Sequence, residues 1–570
     1  MLQICTGKLF TREIEYQNNL KGIIYTNYNL FSDQKIETKA GTISFAENAN
    51  GPNTILYEIE ELIEATGYGP GMLASHGIRS LILDFSTILS FVLNCTASPS
   101  YSLTERLLSE QPGVSTHTSP NKMIKKVFDK HIFYEENDEN ELIKITNQII
   151  GLKRKTFLGV MSSIRTYVTG MHRISDDFEL AYTLLVASIE SLAQKFDGHQ
   201  STWTDYEESK RKKIDKALAS ADQTIKNDVR NAILSIEHTS LARRFKDFAL
   251  EHITSDFFRL EANDVINPIT RSDLPIALSN AYIARSKYVH NLKKLPKNLT
   301  YSTYSETCNI ESKTWLTLQG LSRLARHVII EFIMRQPTVE KEEYNYHLER
   351  PNISVWNLGP ECWIHHIDFS SGAGIQKLEG YLSQLEKFLT GVPNATVTEI
   401  SNVLTEFETQ INNIKHADRK AFLALYIIYN FYIKKTQRLK NVEEFTAKHQ
   451  KIILNPCTEG LIVYSLLNLP FPWEIEVHHD CLKKYFLERN QKLKIKCPQV
   501  IETGMLLQLA ERYRKAGNET KALEQIVMAV ENLPSHKDLR KFETDYKSSP
   551  RPIDVSEILF STPIDTISDD

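Results

Sequence analysis

The sequence has few of the features that mark secreted or membrane-spanning proteins. Its 570 residues contain seven scattered cysteines, an odd number that suits a reducing compartment better than a disulfide framework. The most apolar run, residues 78–95, is interrupted by Arg79, Asp84 and Asn94, so we expect no membrane span. The first ten residues lack a basic segment followed by an apolar one, so we expect no secretory signal and predict a cytoplasmic protein.

Short motifs for phosphates and metals are also missing. The glycine-rich run at residues 67–71 completes neither G-x-x-x-x-G-K-[ST] nor G-x-G-x-x-G, so a tight turn is expected there. Cysteines and histidines cluster at residues 362–366 and again at 478–481, but neither cluster has the C-x2-C spacing of a zinc site. We therefore predict no metal and no cofactor.

The composition is that of an ordinary globular chain, and its charge is unevenly spread. Hydrophobic residues make up 41% and charged residues 24%, enough for a large core. The net charge is −4, but residues 151–300 hold 23 Lys and Arg against 18 Asp and Glu, a net of +5 that leaves −9 for the rest. A basic segment in an acidic protein fits a site that meets phosphates, although +5 over this length is also within ordinary scatter.

Two predicted helices carry the residues that suggest a function. The first, residues 180–197, includes Glu190 and is expected to pack inward through one stripe of side chains: Ala181, Leu185, Ile189, Leu192 and Phe196. The second, residues 279–291, carries Arg285 and His290 five positions apart.

Together these helices resemble the HEPN domain (higher eukaryotes and prokaryotes nucleotide-binding), in particular its Apea-like branch. Residues 187–192 (ASIESL) are similar to the family's buried helix with a glutamate, and Arg285 and His290 match its R-x4-H motif. Ser286 stands where the family often has Asn, Asp or His. The resemblance covers roughly residues 150–337. It implies a helical bundle and a metal-independent ribonuclease, of a kind often found in antiphage (abortive-infection) defence or as toxins.

The resemblance also implies roles for individual residues. Arg285 would neutralise the scissile phosphate, because its guanidinium fork suits phosphate oxygens. His290 would carry the proton, because imidazole titrates in the required range. Glu190 would orient Arg285. The motif's neighbours would contact RNA, with tRNA as one candidate substrate: Ser286, Lys287, Tyr288 and Asn291.

The spacing of the motif raises a geometric question. Five residues on an ideal helix correspond to a rotation of about 140°, so Arg285 and His290 diverge. They converge only if the helix is irregular or if two protomers each contribute, and HEPN domains usually pair across this surface. We therefore predict a homodimer through the bundle.

A second interpretation remains open. Arg285 would form a salt bridge with Glu190 and His290 would cap structure in a non-catalytic interaction or regulatory protein. Under either interpretation, substituting Arg285 or His290 removes little apolar surface and is expected to shift thermal unfolding little.

The predicted fold class is mainly α. The predicted segments are an N-terminal mixed α/β domain (1–150), a HEPN helical bundle (151–337), a connection and helical domain (338–500), a tetratricopeptide-like hairpin (501–540) and a flexible tail (541–570). We expect the flanking domains to bind a protein or phage-derived trigger.

The pattern also predicts local details. Residues 54–65 are expected to form a strand that runs into a short helix, and residues 311–335 one long helix. Ser175 and Asp176 are expected to cap the Glu190 helix. The apolar run at residues 423–432 is expected to be buried.

Overall fold

The computed structural model describes residues 1–47, 51–65, 75–111, 119–198, 202–203, 206, 208–236, 241–300, 304–349 and 358–560. The chain divides into two units, Met1–Val355 and Trp356–Asp570, each with its own buried core. The described residues are mainly helical, with a small antiparallel sheet near the N-terminus, which confirms the predicted fold class. Among these residues, no helix is both long and apolar enough to cross a membrane. The glycine-rich run at residues 67–71 lies outside them.

The first unit contains the sheet and the predicted bundle. In chain order its elements are α1 Leu2–Cys5, β1 Ile14–Thr26, β2 Tyr28–Asn29, β3 Lys35–Thr38, β4 Gly41–Ala46, β5 Asn53–Glu64, α2 Ile78–Val92, β6 Ala97–Ser98, α3 Tyr101–Leu108, α4 Pro120–Met123, β7 Ile132–Phe133, α5 Glu136–Gly151, α6 Arg154–Arg173, α7 Phe178–Phe196, α8 Glu208–Ala217, α9 Gln223–Ile236, α10 Leu241–Glu251, α11 Ser255–Arg259, α12 Leu274–Asn291, β8 Thr307–Ile310, β9 Lys313–Leu316 and α13 Leu318–Arg335.

The largest sheet has the strand order β3-β4-β5-β1-β6, with antiparallel neighbours. The short helix predicted near residue 65 is wrong, because β5 continues to Glu64 and pairs with β1 along its whole length. Side chains at every second position from Ile55 to Ile63 are buried, as expected for a strand with one face on the core. One of them, Tyr57, stacks on Phe85 of α2 with ring centroids 4.4 Å apart.

Helix α7 is the centre of the bundle and packs against α6, α10, α12 and α13. Its predicted inward stripe is confirmed from Ala181 to Leu192, while Phe196 is half-buried. The predicted cap is wrong by one or two positions, since the side chain of Asp177 accepts the hydrogen bond from the Leu180 N–H at 2.8 Å.

The helix predicted from residue 311 begins later, at Leu318. The strands β8 and β9 form a hairpin instead, and their turn residues Glu311 and Ser312 both adopt left-handed conformations, with φ of 50° and 61°. Thr317 then caps α13 by accepting from the Gly320 N–H. A Cβ at Gly320 would lie 2.3 Å from the Glu306 carbonyl oxygen, so this close approach of backbones requires glycine.

The predicted boundaries at residues 150 and 337 do not separate cores. Ile149 and Phe157 belong to one buried cluster that spans the sheet and the bundle. The chain after α13 also packs back onto the first unit, where Tyr346 donates to Glu64 at 2.5 Å and Arg154 pairs with Glu349 at 2.5 Å. Residues up to 349 therefore belong with the first unit and form no separate connection.

The described residues of the second unit form helices and the loops between them, with no strand among them. Its helices are α14 Ala373–Leu389, α15 Ser401–Gln410, α16 His416–Tyr432, α17 Val442–His449, α18 Lys451–Leu454, α19 Thr458–Leu466, α20 Ile475–Glu488, α21 Gln499–Lys515, α22 Glu519–Asn532, α23 Lys537–Ser548 and α24 Val555–Leu559.

Two predictions for this unit are confirmed and one is wrong. Helices α21 and α22 form the predicted hairpin, with Ala510, Ala522 and Ala529 fully buried between helices. The apolar run in α16 is buried except for Phe431 and the half-buried Ile427 and Tyr432. The flexible tail, in contrast, does not begin at residue 541. Helices α23 and α24 extend the fold, and five side chains after that point are buried: Phe542, Tyr546, Ile553, Ile558 and Leu559. Residues 561–570 lie outside the described part.

Candidate active site

A buried carboxylate lies where α7 meets α12. Glu190 occupies the fourth turn of α7 and its side chain is only 4% exposed. A charge buried this deeply needs a partner. Arg285 of α12 supplies it, with its Nη2 2.8 Å from Glu190 Oε2.

Tyr282 is the third member of this cluster, and sequence reasoning did not place it in the site. Its hydroxyl donates to Glu190 Oε1 at 3.1 Å. Its ring also lies under the guanidinium, with Arg285 Cζ 5.7 Å from the ring centroid. Burial, together with Glu190, raises the pKa of Tyr282 to about 12, so the phenol stays protonated as a donor. The signal in the sequence was its position three residues before Arg285, which is one turn of the helix.

Arg285 retains unused hydrogen-bonding capacity. Its side chain is 21% exposed. Its Nε is buried and has no hydrogen-bond partner among the described residues. An unsatisfied buried donor is rare in folded proteins, and a bound anion or water would satisfy it. The guanidinium is therefore anchored on one side and incompletely satisfied on the other.

His290 lies on the exposed side of the same helix. Helix α12 is continuous from Leu274 to Asn291 and ends at Leu292, which adopts a left-handed conformation with φ of 50°. His290 is exposed in its last turn. Because the helix is regular, the two motif side chains lie about 140° apart around its axis. A single chain therefore does not bring Arg285 and His290 together.

The other predicted contact residues differ in how free they are to meet a ligand. Lys287 and Asn291 are exposed, and Ser286 is half-buried. Tyr288 is tied to the start of α7, where its hydroxyl donates to Asp177 Oδ2 at 3.4 Å. Burial and the nearby Asp177 raise the pKa of Tyr288. Lys287 and Asn291 are thus the better placed of the four to contact a substrate.

Two of the histidines that superficially suggested a metal in the second unit make other contacts. His478 stacks on Phe471 with ring centroids 3.9 Å apart, and its Nδ1 lies 3.1 Å from Arg512 Nη1. His479 Nδ1 lies 2.8 Å from the hydroxyl of Tyr513. Within the described residues of this unit, no three metal-ligating side chains converge.

Comparison of the chain with protein-family models, with curated proteins and with solved structures finds no match. The resemblance to HEPN domains therefore rests on the motif residues and on their arrangement in α7 and α12.

Proposed function

We propose that this chain is a metal-independent endoribonuclease of the HEPN type, with an active site assembled from two copies. The observation that carries the proposal is the anchored arginine: Glu190 and Tyr282 hold Arg285 in place while His290 stands exposed on the same helix. A preorganised cation for the phosphate and an accessible imidazole for proton transfer are the two groups that metal-free RNA cleavage needs.

Two copies resolve the divergence of the motif. A phosphate held by Arg285 of one copy can be reached by His290 of the other when their α12 helices face each other. The helix surface supports such pairing, since Ile276 and Ile283 are 43% and 44% exposed and lie fourteen and seven residues before His290 on one stripe. These apolar side chains would bury against the second copy and bring the histidines to the interface. Arg285, about 180° from Ile276 around the axis of α12, would reach the shared phosphate from the edge of that interface.

The chemistry then divides between the copies. His290 removes the 2′-hydroxyl proton, the 2′-oxygen attacks the adjacent phosphorus, and Arg285 stabilises the charge that develops on the phosphoryl oxygens. The leaving 5′-oxygen takes a proton from water, His290 releases its proton to the solvent, and one product ends in a 2′,3′-cyclic phosphate. The exposed Lys287 and Asn291 lie beside His290 to contact the RNA backbone.

The first test is cleavage of total tRNA in excess EDTA by wild type and by His290→Ala. Loss of the general acid–base group should lower the rate by about 10² to 10⁴. Lys213→Ala, a change of an exposed lysine on α8, is a control that should cleave normally. Equal activity of wild type and His290→Ala would refute the assignment.

The second test asks whether the site is shared. Arg285→Ala and His290→Ala, each inactive alone, should regain roughly one quarter of the wild-type rate when mixed, because half of the dimers then carry one intact composite site. No recovery, with mixed dimers demonstrated by light scattering or tagged pull-down, would place both residues in one copy and contradict the shared site.

A second candidate function is a non-catalytic interaction protein in which the helical second unit holds a partner. The ion pair of Arg285 with Glu190 favours it, since the pair neutralises the arginine. Wild type that forms a stable dimer but leaves RNA intact would support this alternative. In the ribonuclease proposal, the same helical unit binds the phage-derived or protein trigger of an abortive-infection response.

A further inference from the structure

Three metal-ligating side chains from distant parts of the sequence converge beside the N-terminal sheet. Cys5 ends α1, Glu61 lies on β5, and His76 precedes α2. One ligand atom from each lies within 4.8 Å of the others, and this is the one such group in the described part of the chain. It is separate from the Arg285 cluster and is not used by the proposed reaction.

Glu61 is a charged residue at an inward-facing position of β5. The inward positions of β5 otherwise hold apolar or aromatic side chains, and the side chain of Glu61 is fully buried among them. Both of its oxygens are bound. Oε1 accepts from the His76 backbone N–H at 2.8 Å and lies 2.7 Å from His76 Nδ1, while Oε2 accepts from Ser75 Oγ at 2.6 Å and from Asn18 Nδ2 at 3.5 Å. Burying a carboxylate at a core position costs stability unless it has a function or a strong partner.

His76 has an unsatisfied atom. Its side chain is 2% exposed, and its Nε2 is buried without a hydrogen-bond partner in the described residues. The other ring nitrogen, Nδ1, faces Glu61 Oε1 at 2.7 Å and is the nitrogen that would bind an ion beside that oxygen. Cys5 is also fully buried.

We propose that Cys5, Glu61 and His76 bind one Zn²⁺ or a similar thiophilic divalent ion. A thiolate, a carboxylate and a neutral imidazole balance the ion's two charges. Sulfur and nitrogen ligands favour zinc over Mg²⁺ and Ca²⁺, which prefer oxygen. Three protein ligands leave the fourth tetrahedral position for water.

The distances fit after small side-chain movements. With bonds of about 2.0–2.3 Å, the ligand atoms of a tetrahedral zinc site lie roughly 3.3–3.8 Å apart. The 2.7 Å contact between Glu61 and His76 must therefore open, and the Cys5 sulfur can stay inside the present 4.8 Å limit. The bound ion would tie α1, β5 and the start of α2 together.

The experiment uses the full chain, stripped with chelator and titrated with Co²⁺. We expect one Co²⁺ per chain, with the visible bands of tetrahedral cobalt and the ultraviolet band of a cobalt–thiolate bond, displaced by Zn²⁺ but not by Mg²⁺. Cys5→Ala should lose the thiolate band and weaken binding by about 100-fold or more. Cys95→Ala, another fully buried cysteine of the same unit, should behave as wild type.

Two results would overturn the proposal: no saturable binding near one equivalent, or the same thiolate band in Cys5→Ala. Cysteine packs as a small hydrophobe, so Cys5→Ala should fold. Should it fail to fold, X-ray absorption at the zinc edge of the wild-type complex decides, and a shell without sulfur refutes the site. Circular dichroism in EDTA shows whether removal of the metal changes the fold, so that such a change is not mistaken for a direct effect of EDTA on RNA cleavage.

Discussion

Arg285→Ala should destabilise the first unit, although the sequence suggested almost no effect on thermal unfolding. The substitution leaves the Glu190 carboxylate 4% exposed with only Tyr282 as its hydrogen-bond donor among the contacts described above. Breaking a buried ion pair costs about 3–5 kcal/mol. Because Arg285 is itself 21% exposed, water can replace part of its contact, and we expect about 2–3 kcal/mol.

The expected shift in melting temperature follows from the size of the unit. An unfolding entropy of about 2.1 cal/mol/K per residue over the unit Met1–Val355 gives roughly 0.7 kcal/mol/K. A loss of 2–3 kcal/mol then lowers the midpoint by about 3–4 °C. Calorimetry of the full chain measures this shift if the two units give separate transitions, and urea titration followed by circular dichroism provides the free energy.

Two further variants test whether the loss of stability in Arg285→Ala comes from the broken ion pair with Glu190. His290→Ala changes an exposed side chain and should stay within about 0.5 kcal/mol of wild type. Glu190→Gln combined with Arg285→Ala removes the stranded charge and should recover part of the loss, since the amide can still accept from Tyr282. If Arg285→Ala and His290→Ala melt together, the ion pair contributes nothing to stability and the reasoning is refuted.

Three further predictions concern pH and the C-terminal segment. Burial alone would raise the pKa of Glu61, but its hydrogen bonds from His76 and Ser75 lower that pKa to about 2. In metal-free protein, the contribution of Glu61 to the free energy of unfolding is therefore present above pH 4.5 and is lost as the pH falls toward 2. This loss amounts to about 3 kcal/mol, and acid titration of Glu61→Gln should lack it. Burial, and then the nearby Arg512, lowers the pKa of His478 to about 3, so between that pH and 6.5 only the unfolded chain binds a proton at this residue. The free energy of unfolding should therefore fall by about 1.4 kcal/mol per pH unit below pH 6.5. Urea titrations of His478→Gln at several pH values should show a weaker dependence of that free energy on pH. A chain ending after Ser548 loses three buried side chains, each of which stabilises the fold by roughly 1.5–3 kcal/mol before the entropy of ordering is subtracted. Its second unit should melt at a lower temperature than the second unit of a chain ending after Phe560. Equal melting temperatures would show that α24 adds no stability.

The helical periodicity of the sequence predicted the two helices that carry the residues of the candidate site. The apolar stripe around Glu190 and the spacing from Arg285 to His290 follow from the helical repeat, and both lie on continuous helices. The ion pair between Glu190 and Arg285 needed the family resemblance, because nothing local in the sequence pairs residues 95 positions apart. The contacts of Tyr282 with Glu190 and of Tyr288 with Asp177 were not predicted, because in each case the partner lies on another helix or at its start.

The errors have a common physical origin in contacts that a local pattern does not contain. Trp315 fits a helical stripe with the residues after it, yet the left-handed turn at Glu311 and Ser312 places it in a strand. The core shared by the sheet and the bundle depends on packing between helices and strands far apart in the chain. The grouping of Cys5, Glu61 and His76 likewise depends on the packing of α1 against β5 and on the path of the chain before α2.

The segment that follows α13 has a consequence for how this protein is made. Gln3 donates to the carbonyls of Ile150 and Leu152 and accepts from Arg154, and Arg154 pairs with Glu349. Gln3 is therefore synthesised well before the residues that its side chain binds, which lie 147 to 151 positions later, and Glu349 follows later still. At about 5–20 residues per second, the interval between Gln3 and Glu349 is roughly 17–70 s. During that time the early sheet is exposed without its final cover, and the nascent chain should depend on chaperones until residue 349 has emerged.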